Sequence, residues 1–94
     1  MAPDFKPPVL LEVSAERARQ DTKFPPPPRP DHSVTDWLAI LTEEVGEAAQ
    51  EAVEIRWASD AGEASRRTQL LRAELIQVAA VAVAWVEHID GMAT

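Results

Sequence analysis

The chain has 94 residues, a formal net charge of −7 and no cysteine. That length fits one domain with little room for a core. The acidity disfavours binding to a DNA or RNA polymer, which takes a surplus of Lys and Arg, and the missing thiols exclude disulfides and Cys-based zinc sites. Nearly half the residues are apolar, mostly Ala, Val and Leu with few aromatics. Such small aliphatics suit close packing of helices.

Residues 1–8 hold three prolines and no periodicity, so they read as extended or disordered. They lack the basic-then-apolar pattern of a secretory signal. A modest helical pattern then runs from Val9 to about Thr22, with Glu12, Glu16, Arg17 and Arg19 on a half-exposed surface. The segment 24–32, "FPPPPRPDH", forbids helix and favours polyproline II. It reads first as a stiff connector and second as a proline-rich docking motif. The single domain is therefore expected to span 9–91, with 24–32 as its internal connector.

Ser33 and Asp36 resemble a capping box, and a helix is expected from Val34 to about Trp57. Asp60 and Glu63 mark a second helix start. The last helix is expected from Glu63 or Arg66 to Ile89, with Gly91 at the position of a C-terminal cap. No strand pattern, internal repeat or glycine-rich phosphate loop occurs. The fold class is all-α, a helical bundle of one weak and two long helices.

On a wheel with Trp37 at zero, Leu41, Val45, Ala48, Ala52 and Ile55 fall between about 0° and 80°. That arc is the expected buried face. Glu44 and Glu51 fall at its edge, near 340° and 320°, with Glu43, Glu47 and Glu54 beyond them. Like charges at i,i+3 and i,i+4 repel, and a carboxylate at a packed seam loses hydration. Within this helix only Arg56 is basic. Either a divalent cation neutralises the acids, or they form a solvated face paired with Arg66, Arg67 or Arg72. Gly46 lowers helix stability by about 1 kcal/mol relative to Ala, and a close approach by another helix or a ligand would explain it.

From Leu75 to Val86 the last helix is apolar on every side. Such a helix must be covered all round, and two other helices of so short a chain are too few. A homo-oligomer, dimer or tetramer, is expected to complete the core. Its longest apolar run, Val78–Val86, is too short for a bilayer, and a soluble cytoplasmic protein is expected. Gln77 is the polar residue of that stretch, either a metal ligand or a buried amide bonded to a neighbouring helix. Glu74 lies one turn earlier on the same face. If the long helices pack antiparallel about Ser59–Gly62, Glu44 and Glu47 meet Glu74 and Gln77.

"EEVGE" (43–47), 26 intervening residues, and "ELIQ" (74–77) resemble the EExxE…ExxD pattern of the all-α nucleoside triphosphate pyrophosphohydrolases, the MazG-like superfamily. "ERARQDTKF" (16–24) is similar to the N-terminal segment of its small single-domain members, so the resemblance covers about 15–89. It implies a Mg²⁺-dependent cleavage, with Mn²⁺ as the alternative ion, of an NTP or dNTP between the α and β phosphates. It further implies that Glu44, Glu47, Glu74 and Gln77 bind metal, and that Glu43 orients the attacking water or helps hold a second ion. Lys23, Arg66, Arg67 and Arg72 are candidates for phosphate contacts. Trp37 is a candidate for stacking on the base, although its spacing also fits a core residue, and His32 reads as a loop histidine. Gln77 departs from the pattern, which has Asp there, and a neutral amide oxygen weakens metal affinity. The rival reading is a non-catalytic nucleotide-binding or interaction protein built on the same bundle.

Overall fold

The computed structural model describes residues 7–23 and 32–92. Most of the proline-rich connector and the first six residues lie outside them. The described residues form three helices and no strand: α1 (Pro7–Lys23), α2 (Val34–Arg56) and α3 (Ala61–Met92). The all-α class stands.

α1 starts two residues before its expected first residue, at Pro7 and Pro8. Proline suits the first turn, where its missing N–H has no intrahelical acceptor and its φ is already helical. α2 starts where Ser33 predicts. The Ser33 hydroxyl accepts the Asp36 N–H at 3.1 Å, and the Asp36 carboxylate accepts the Ser33 N–H at 2.9 Å. These reciprocal bonds satisfy two of the open groups at the helix start. α3 starts at Ala61, earlier than expected, because Asp60 accepts the Glu63 N–H at 2.8 Å and Glu63 accepts the Ser59 hydroxyl at 2.8 Å. It continues through Gly91 to Met92, so Gly91 lies inside the helix rather than capping it.

The short 57–60 connection turns α3 back along α2, and α3 also carries α1. α1 and α2 do not pack on each other. The core is small. Trp37, Val81 and Ala84 are buried, with Ile40, Leu41 and Trp85 packed around them. Trp37 stacks on Trp85 with ring centroids 6.4 Å apart and meets the edge of His32 at 5.1 Å. Among the described residues, two ion pairs join α1 to α3. Arg17 bonds Glu87 at 2.8 Å, and Arg72 bonds Glu12 at 2.7 Å.

The face that α2 turns to α3 differs from the expected one. Ile40, Glu44, Ala48, Glu51 and Ile55 lie in or beside the packed seam, while Val45 and Ala52 are exposed. The buried arc is centred about 40° nearer the acids than the arc of apolar residues.

Candidate metal centre

Antiparallel packing brings together carboxylates that are far apart in sequence. Glu44 and Glu47 stand one turn apart on α2, and Glu74 faces them from α3. One oxygen from each lies within 4.8 Å of the other two. Glu44 and Glu74 are half-buried, whereas Glu47 is exposed. Glu44 Oε2 and Glu74 Oε2 are buried without a hydrogen-bond partner.

The electrostatics follow from this crowding. Partial burial pushes the Glu44 carboxyl above its ordinary range, and the charges of Glu47, Glu43 and Glu16 push it further, against a smaller opposing effect from Arg19. Burial likewise raises Glu74, helped by a carboxyl–carboxyl contact with Glu47 and by the charges of Glu44 and Glu51. Protein cations do not settle the cluster, because the nearby arginines hold other acids. Arg67 pairs with Glu51 at 3.1 Å, and Arg19 pairs with Glu16 at 2.6 Å. A hard divalent cation takes several carboxylate oxygens at once. Two buried, unpartnered oxygens and a third acid at hand fit that requirement.

The other sequence-chosen residues fall as follows. Glu43 is exposed and outside the triad, although its charge reaches Glu44. Gln77 is half-buried one turn after Glu74, in a cavity of about 370 Å³ between α1 and α3. Arg72 lines the same cavity and is engaged with Glu12. Arg66 is exposed near the start of α3. Lys23 is the last residue of α1, and its side chain lies outside the described part. Trp37 is 5% exposed and packed on Trp85 and His88, so it serves the core and has no free ring face for a base. A Cβ at Gly46 would meet nothing within 4 Å, so the expected close approach at that glycine does not occur among the described residues.

Glu16 and Arg19 were not among the residues chosen from sequence. α1 carries both into the α1–α3 cavity, and the charges of both reach Glu44. For Glu16 the signal is its position on the half-buried stripe of α1 (Val13, Glu16, Arg17, Gln20), whereas Arg19 is exposed beside that stripe. No known protein family, curated protein or solved structure matches the chain.

Proposed function

We propose that this chain is a Mg²⁺-dependent nucleoside triphosphate pyrophosphohydrolase, cleaving an NTP or dNTP to the monophosphate and pyrophosphate. The observation that carries the reading is the convergence of Glu44, Glu47 and Glu74, with two buried oxygens lacking partners. The motif resemblance supplies the reaction. Glu44, Glu47 and Glu74 would hold the ion, Mg²⁺ or Mn²⁺, and Gln77 would add a neutral carbonyl oxygen by the motif resemblance alone. When bound, the ion neutralises phosphate oxygens and lowers the pKa of a bound water. Glu43, exposed beside the triad, takes the proton of the attacking water. Arg66 contacts the phosphate chain directly, while Arg67 and Arg72 do so by leaving Glu51 and Glu12. Lys23, at the end of α1, belongs to the same set by the motif alone.

The test is pyrophosphate release from a panel of NTPs and dNTPs with Mg²⁺, in wild type, Glu44→Gln and Glu74→Gln. Release by wild type and its loss in both variants is the expected result. Release that persists in both variants would sink the site. The second reading, a nucleotide-binding relative without turnover, is favoured by one residue, the neutral Gln77. It predicts no release from wild type with any nucleotide and a gain of release in Gln77→Asp.

A further inference from the structure

The cavity between α1 and α3 has an arginine on each wall. Arg19 stands on α1 and Arg72 on α3, and both line the space of about 370 Å³. That volume lies in the range of small-ligand sites. Each guanidinium is held by both oxygens of one carboxylate. Arg19 bonds Glu16 at 2.8 and 2.6 Å, and Arg72 bonds Glu12 through both of its terminal nitrogens. Both carboxylates line the same cavity. The remaining polar lining among the described residues is Gln69 and Gln77, whose amides carry no charge.

A guanidinium fork matches phosphate as well as it matches carboxylate. A terminal phosphate carries roughly −1.5 to −2 at neutral pH, more than a carboxylate does. Both pairs are open to solvent: Arg72 and Glu12 are each 46% exposed, and Arg19 is 54% exposed. Exposed pairs add little to stability, so exchanging the carboxylate for a stronger anion is cheap. When Arg72 releases Glu12, α1 keeps a second tie to α3 through Arg17 and Glu87 at 2.8 Å. The cavity also borders the acidic triad. Gln77 lies in its wall one turn after Glu74, and the charges of Glu16 and Arg19 act on Glu44.

We propose that the α1–α3 cavity is a self-blocked seat for a polyphosphate, in which Glu12 and Glu16 occupy the two arginine forks until an entering di- or triphosphate displaces them. The arginines belong to different walls, so one phosphate group engages each. A single orthophosphate displaces only one carboxylate and is held more weakly. Arg19 is thereby a further binding residue, and Glu16 sets the affinity by competing with the ligand. Use of the seat for the terminal phosphates of a nucleotide held at Glu44, Glu47 and Glu74 rests on the proposed pyrophosphohydrolase activity; the seat itself does not.

Isothermal titration of the full chain with inorganic pyrophosphate, in EDTA at low ionic strength, tests the seat without metal or turnover. Glu16→Gln is expected to bind about fivefold tighter than wild type, because the Arg19 fork is then open. Arg19→Gln added to Glu16→Gln is expected to lose that gain. Asp90→Asn makes the same charge change about 21 Å along α3 from Ile76, and its affinity is expected to match wild type. Equal tightening in Asp90→Asn and Glu16→Gln overturns the proposal, since it reports net charge alone. A Glu16→Gln chain that binds pyrophosphate no better than wild type, or that binds orthophosphate as tightly as pyrophosphate, overturns it too. A non-hydrolysable α,β-methylene nucleoside triphosphate and inorganic tripolyphosphate separate the two sources of the ligand. The nucleotide is expected to bind tighter, whereas equal binding keeps the seat and counts against the nucleotide activity.

Discussion

Glu74→Gln removes one charge from the triad while keeping the side chain's shape. The three carboxylate oxygens lie within 4.8 Å of one another. At that distance two like charges repel by about 1 kcal/mol in water's dielectric and about 3.5 kcal/mol at an effective dielectric of 20. Glu47 is exposed and Glu74 half-buried, so solvent screening favours the lower figure. Glu74→Gln removes two of the three repulsions, with Glu44 and with Glu47. The metal-free fold should therefore gain about 2 kcal/mol at pH 8. For a domain of this size that raises Tm by roughly 8–16 °C. The assay is thermal unfolding followed by circular dichroism at 222 nm, in EDTA and then in Mg²⁺. Wild type should rise with Mg²⁺, and the variant should start higher and respond less. A lower Tm for Glu74→Gln in EDTA would refute the reasoning, because it would mean that the ionised carboxylate stabilises the metal-free fold.

Further outcomes follow from the same structure. The Glu44 and Glu74 carboxyls are held above their ordinary value of 4.5, so their contribution to stability is full below that pH and is lost as pH rises through the raised values. The stability gap between Glu74→Gln and wild type in EDTA should accordingly widen upward from about pH 4.5 and then level, as read by urea titrations. Glu12 and Glu63, held low by Arg72 and Ser59, slope the other way in both proteins and cancel in the difference. Ser33→Ala removes one half of the α2 capping box and should cost about 1 kcal/mol in chemical denaturation, with turnover unchanged. Gly46→Ala places a methyl in open space and should stabilise α2 by about 1 kcal/mol in the same measurement. Trp37→Ala should cost about 3–5 kcal/mol, whereas Trp37→Phe should fold and keep the KM for nucleotide, since Trp37 is core. A KM raised tenfold by Trp37→Phe would instead place a base on that ring.

The parts of the fold legible in the sequence are those fixed by near neighbours. Ser33 and Asp36 act over three residues, and so do Asp60 and Glu63, so both helix starts could be read from residue type and spacing. Glu44, Glu47 and Glu74 could be matched because a short turn forces the antiparallel register. The orientation of α2 could not be read in the same way. A wheel ranks positions by apolarity and places Val45 and Ala52 inward, yet the packed seam includes Glu44 and Glu51. The charges of Glu16 and Arg19 reach Glu44 through the docking of α1 on α3, a contact that includes the Arg17–Glu87 ion pair across 70 residues. No local pattern encodes such a pairing.

The orientation of α2 links the acidic cluster to the exposed aliphatic residues of the same helix. An amphipathic helix has one apolar arc to bury. Here that arc is wide, and Trp37, Leu41 and Ala48 commit only one edge of it to α3. Turning that edge inward brings Glu44 against Glu74 and leaves Val34, Leu38, Val45 and Val53 in solvent. Turning the middle of the arc inward would bring Val34 and Val45 nearer α3 and carry Glu44 away from Glu74. Within one chain the acidic cluster and burial of Val34 and Val45 therefore compete. In the observed orientation the acids stay gathered at the edge of the α2–α3 seam, with Glu47 exposed to solvent.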